Sequence, residues 1–196
     1  MLKIQQLSFI MSALVVVSAP VFADSSVNFA TGSSVGLPIV TFADGTGINN
    51  KNYVAQLFES TDGGSSFSAV GTTSAFYSVV STSVRAGVWK TQSITLVGVN
   101  PGSAVQMKVA VWDSTLFSSW DAAAAEIASP HQSFQAGVTP VFTYNTPPAG
   151  DLNPADFNLS NFKGLTLNDY EVLVPEPSVI ALGALGLGAL LWRRRN

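Results

Sequence analysis

Hydrophobic and polar positions fall into three regimes along the chain. Short apolar runs lie near both ends, at residues 7–17 and 179–192, and the long middle alternates with a period of two. Alternation of this kind predicts half-buried β-strands. The clearest case is 104–112: Val105, Met107, Val109 and Val111 share one face, while Gln106, Lys108, Ala110 and Trp112 share the other. Residues 52–58 behave likewise, with Tyr53, Ala55 and Leu57 opposed to Val54, Gln56 and Phe58. Further strands are expected at 27–30, 37–42, 67–70, 75–80, 93–99 and 140–144. In 93–99, Ile94 and Leu96 point inward and Val97 is a further inward candidate. Asp62-Gly63-Gly64 marks a turn that tolerates positive φ, and Asn100-Pro101-Gly102 marks another. Two apolar runs around that second turn predict a hairpin of 93–99 with 104–112.

One segment has helical rather than strand character. Ser119 can cap it, the alanines at 122–125 favour it, and Pro130 stops it, so a helix is expected over 119–128. Thr146-Pro147-Pro148-Ala149-Gly150 reads as a linker. Residues 151–171 hold Phe157, Leu159, Phe162, Leu165 and Leu167, which predicts one more strand or a docked tail. The expected fold class is all-β, an antiparallel β-sandwich (Ig-like) ectodomain with one short helix. It is flanked by a signal peptide and a C-terminal transmembrane helix. The expected boundaries are 1–23, 24–145 for the sandwich, 146–173 for linker and tail segment, and 174–196 for the anchor.

The end segments carry addresses. Lys3, the apolar core and the sequence Val21-Phe22-Ala23 fit a secretory signal peptide cleaved after Ala23. At the other end, Pro175 and Pro177 flank Glu176. Prolines fix φ and lack an N–H, which favours an extended, graspable peptide. From Val179 to Trp192 there are 14 residues without a charge. As a helix they span about 21 Å, short of the roughly 30 Å hydrocarbon core, so the anchor is thin and depends on bilayer thinning or snorkelling. Arg193, Arg194 and Arg195 then form a basic stop that stays cytoplasmic. A buried C-terminal helix or a permanent, unprocessed anchor are the alternatives.

Pro175-Glu176-Pro177, the glycine-rich apolar run and the three arginines together resemble the PEP-CTERM sorting signal of Gram-negative bacteria. The resemblance implies recognition of Pro175, Glu176 and Pro177 by exosortase, passage through the inner membrane as an anchored intermediate, and a final place at the cell surface or in the extracellular matrix. Carriers of such tails are typical of species that make polysaccharide and biofilm. The strands around Tyr53, Ile94 and Val109-Ala110-Val111-Trp112-Asp113, the Ala-rich segment and the Pro-rich stretch are also similar to a body found on PEP-CTERM proteins. That second likeness concerns architecture and adds no activity.

Composition narrows the rest. Removing both ends leaves about 150 residues, one domain's worth, and the chain has no cysteine, which excludes thiol catalysis and cysteine-based metal sites. Residues 24–173 hold five cations and eleven anions, net −6, with no basic stripe, so nucleic acid is excluded as a partner. No cofactor is expected.

Candidate chemistry is sparse. His131 is the single histidine and would have to serve any Ser–His–carboxylate triad, but it sits in no strand–elbow–helix context. Asp44-Gly45-Thr46-Gly47 lacks the second acidic motif that a shared-proton dyad needs and reads as a turn. Asp151, Asn153 and Asp156 have part of the spacing of a calcium loop, but Ala155 and Pro154 break it, so the stretch reads as an exposed acidic linker with Asx turns and no metal site is expected. Trp89, Trp112, Trp120, Tyr53 and Tyr77 could form a sugar-stacking platform, although core packing is the commoner fate of such rings. The expected role is therefore a non-enzymatic exported envelope or matrix protein. Its partners are exosortase, the inner membrane and extracellular polysaccharide, and a carbohydrate-binding or adhesion module is the alternative.

Overall fold

The strand with the longest clean alternation is the centre of the molecule. In the computed structural model, which describes residues 24–31, 39–78, 86–153, 157–159, 161–172 and, in the tail, 183, 185 and 187, this strand is β6 (Ala104–Asp113). Strand β3 (Tyr53–Ser60) runs antiparallel along its full length, from Tyr53↔Asp113 to Ser60↔Gln106. On the opposite side β6 is shared by two short strands. β7 (Phe134–Val138) pairs with Ala110–Trp112, and β8 (Phe142–Asn145) pairs with Ala104–Met107. Thr139 bridges the break between them: its N–H donates to the Val109 carbonyl and its Oγ1 accepts from the Val109 N–H. Pro140, which has no N–H, follows at the break in the ladder.

The remaining strands complete three sheets. β4 (Ser68–Ala75) flanks β3, and β10 (Asn168–Tyr170) flanks β7. The result is an antiparallel sheet of six strands, ordered β10-β7-β6-β3-β4 with β8 beside β6. β1 (Ser25–Phe29) pairs antiparallel with β5 (Gln92–Leu96), and β2 (Val40–Thr41) pairs parallel with β9 (Leu165–Thr166). One helix, α1 (Trp120–Ala128), follows β6, so the described fold is mostly β.

Both faces of the large sheet are covered, which explains why Tyr53 through Phe58 are all buried. On one face, Ala55, Leu57, Met107, Val109 and Val111 meet Val27, Phe29, Ile94 and Leu96 of the β1–β5 ribbon. On the other, Val54, Phe58, Ala110 and Trp112 lie with Phe117, Ala123 and Phe134, and Trp120, Ile127 and Tyr170 pack against them. The predicted alternation is therefore correct in phase, but the second face is dry as well.

Three expectations are corrected. Residues 93–99 and 104–112 do not form a hairpin. β5 pairs with β1, and the turn carries the chain across the core from one layer to the other, so Ile94 and Leu96 face Val105 and Met107 instead of lying beside them. The turn exposes Val97, which is 73% accessible and not inward, with Gly98 and Gly102 at φ 76° and 80°. The strand expected at 67–70 runs on as β4 to Ala75, with a polar middle that suits an exposed edge, and the separate strand expected at 75–80 is absent among its described residues, where Phe76 makes only an isolated bridge to Trp89 (residues 79 and 80 lie outside the described residues). Finally, β7 is present where no strand is expected, because Gln135 and Gly137 interrupt its apolar pattern.

The helix matches its expectation closely. Ser119 is extended, and its hydroxyl accepts from the Ala122 N–H at 3.2 Å. Residues 157–159 and 161–172 dock onto the body: Leu159, Phe162 and Leu167 are buried, and Tyr170 stacks on Phe134 at 5.0 Å. The single Tyr144 hydroxyl proton is shared between the Ser26 carbonyl at 3.0 Å and the Phe157 carbonyl at 3.3 Å, joining β8 to the first strand and to the last segment. Burial pushes its pKa up to about 12, so it remains a donor at any physiological pH. The signal peptide ending at Ala23, the recognition residues Pro175, Glu176 and Pro177, the span ends Val179 and Trp192, and Arg193, Arg194 and Arg195 all lie outside the described residues. Among the described residues no helix is long and apolar enough to cross a membrane. Gly183, Leu185 and Leu187 are helical and exposed.

Candidate functional site

The aromatic residues divide into core and rim. Trp89 is fully buried. Its indole N–H donates to the Phe29 carbonyl at 3.2 Å, and the rings of Phe29, Phe76 and Phe162 surround it at 4.7, 5.8 and 5.5 Å. Tyr53 is buried edge-on to Phe42. Trp112 is 1% exposed and donates to the Phe117 carbonyl at 2.9 Å; it faces α1, neither solvent nor a second sheet. These three rings are core. Tyr77 and Trp120 are half-buried, and Trp120 lines a groove.

That groove lies on the helix-covered face of the large sheet and has a volume of about 130 Å³. Phe58, Trp112 and Gln56 line it from the sheet, Trp120 and Asp121 from the first turn of α1, and Ala69 and Thr73 from β4. A β-bulge shapes the β4 wall. Ala55 pairs with Ser74 and Leu57 with Val70, so residues 71–73 stand opposite Gln56 alone. Gly71 makes this possible with φ 66°, and a Cβ there would lie 2.8 Å from Ile94. The Gln56 amide N–H groups donate to the Val70 and Gly71 carbonyls at 2.9 and 3.4 Å. From the far side, Gln92 binds the Thr72 hydroxyl and the Thr73 carbonyl. Bulges re-aim side chains and are common beside binding sites; this one is held from both sides.

The polar candidates are structural in geometry. His131 lies beyond the end of α1, 77% exposed, with Nδ1 3.4 Å from a Glu126 carboxylate oxygen. The Glu126 carboxylate also accepts the His131 and Gln132 backbone N–H groups, and the His131 bond is the main cause of its lowered pKa. Among the described residues no serine hydroxyl bonds His131. Asp44 accepts from the N–H and hydroxyl of Thr46 at 2.8 and 2.6 Å, which closes a turn and lowers its pKa. Asp151 accepts the Asn153 N–H at 2.9 Å as an Asx turn, while Asp156 lies outside the described residues. Among the described residues no three acidic or histidine side chains gather as a metal site.

Three features escape sequence reading. Asp62 gathers the Ser60 and Ser66 hydroxyls at 2.6 Å and the Ser65 and Ser66 N–H groups at 3.0 Å, and these bonds hold its carboxyl well below the usual range. Glu59 is half-buried; its Oε2 has no hydrogen-bond partner among the described residues, and burial raises its pKa. The Lys108 ammonium lies 4.5 Å from the Phe67 ring centroid and 5.5 Å from that of Phe58. Ser-x-Asp-x-Gly spacing at 60–64 is a legible signal for the first. The other two depend on registry that the chain alone does not disclose.

The C-terminal exit is the other functional geometry. β10 ends at Tyr170, and its register on β7 is Asn168↔Ala136, Asp169↔Gln135 and Tyr170↔Phe134. Pro175 follows five residues later, at most about 18 Å away when extended. Residues 173–195 match the PEP-CTERM protein-sorting motif. No curated protein and no solved structure matches the chain. The motif marks an exported protein that is sorted to the cell surface and processed by exosortase.

Proposed function

We propose that the chain is a non-enzymatic envelope or matrix protein whose β body is delivered by its tail to the extracellular polymer layer. In this reading residues 1–23 are removed after Ala23. The run from Val179 to Trp192 parks in the inner membrane, with Arg193, Arg194 and Arg195 on the cytoplasmic side. Exosortase grips Pro175, Glu176 and Pro177. The body, read as an immunoglobulin-like antiparallel sandwich, is what remains outside. The observation that carries the proposal is the sorting motif at 173–195, which begins three residues after a docked edge strand.

Intact-mass measurement in cells with and without exosortase tests it. The expected result is loss of residues 1–23 in both strains and loss of the tail only when exosortase is present. Glu176→Ala should leave the body folded and block tail processing, and removing 174–196 should release the body from the membrane. A mature protein that keeps its full mass in the presence of exosortase would contradict the reading. A carbohydrate-binding or adhesion module of the biofilm matrix is the second reading, and the groove beside Trp120 favours it.

A further inference from the structure

We infer that the groove between the β4 bulge and the first turn of α1 binds one uncharged sugar unit of a polysaccharide. The inference deepens the carbohydrate-binding reading and rests on it. Trp120 offers an indole edge or face for the C–H surface of a sugar ring, and it is the described tryptophan that is not sealed in the core. The polar groups around it can all accept a hydrogen bond. Both Gln56 N–H donors are used on the bulge, which leaves Oε1 as an acceptor. Asp121 adds a carboxylate. The hydroxyls of Ser118, Ser119 and Thr73 can donate or accept.

Such a set suits a polyol, whose many hydroxyls donate. It disfavours an anionic sugar, because Asp121 lines the groove and the body carries net −6. The volume corresponds to roughly four waters, a single small ring and not an extended oligomer. The walls are fixed before any ligand arrives. Ser119 caps the helix that carries Trp120, and Gln92 and Gln56 hold the bulge. Preorganisation of this kind lowers the cost of binding.

The test uses the full chain in detergent micelles, titrated with neutral dextran, mannan and galactan and with anionic alginate. The readouts are intrinsic fluorescence and affinity electrophoresis. The expected result is retention by at least one neutral polymer, insensitive to salt, with weakening of about ten-fold or more in Trp120→Ala. Thr73→Arg changes an exposed β4 residue and fills the groove without touching the core, so it should abolish binding with an unchanged melting temperature. Trp89→Phe should leave binding intact. Failure of every neutral polymer to bind, with or without binding to alginate, overturns the inference. Neutral-polymer binding that survives Trp120→Ala and Thr73→Arg keeps the carbohydrate reading and overturns this site.

Discussion

Single side chains set where this body gains and loses stability. Glu59 is the clearest liability. Its folded pKa is raised, so its protonated form favours the fold and its charged form opposes it as pH rises. Glu59→Gln should therefore raise the melting temperature at pH 7, by the equivalent of about 1 kcal/mol, with the gain disappearing near pH 4. Thermal unfolding followed by circular dichroism at both pH values checks this. Asp44, Asp62 and Glu126 act in the opposite sense. Their folded pKa values are depressed by hydrogen bonds, so they contribute above the ordinary carboxylate range and are lost as pH falls through and below it. Asp62→Asn should thus lower stability at pH 7 and flatten the acid limb below pH 4, with its cost still largely present at pH 3. Trp112, sealed under α1 with its N–H satisfied, is a core anchor, and Trp112→Ala should cost about 3–5 kcal/mol by denaturant titration.

Elements show which parts of the fold were legible. β6 and α1 could be read almost to the residue, because a ten-residue alternation and a Ser cap with a Pro stop are local signals. Ser119→Ala should cost about 1 kcal/mol, measurable by the same titration. Pairing was less legible. The turn at Asn100-Pro101-Gly102 is real, yet a turn fixes only where the chain reverses, and β5 joins β1 in the other layer. The polar middle of β4 hides its full length, and the bulge that builds the groove wall sits in that middle. The candidate site was half legible. Trp120 is one of five candidate stacking rings, but only tertiary packing separates it from Trp89 and Trp112, which share its residue type and are buried. The sorting tail was legible outright, since its recognition depends on linear order and not on contacts.

At the scale of the whole molecule, the body closes on its two sequence extremes. Asn28 bridges Asn158, Val40 pairs with Leu165, and Thr41 with Thr166. A body cut at residue 150 should consequently fail to fold cooperatively, whereas one ending at 172 should fold; near-ultraviolet circular dichroism of the two separates these outcomes. The closing strands are also the last to cross the membrane when the chain is threaded from its N-terminus. Strand β1 must wait, unsheltered on its outer flank, until residues near 158 arrive, and β2 until residues near 165 arrive. Export and compaction are therefore ordered in time: the final stitches are made by the stretch that hands over to the sorting motif, so a chain stalled midway through the channel has no finished body to deliver.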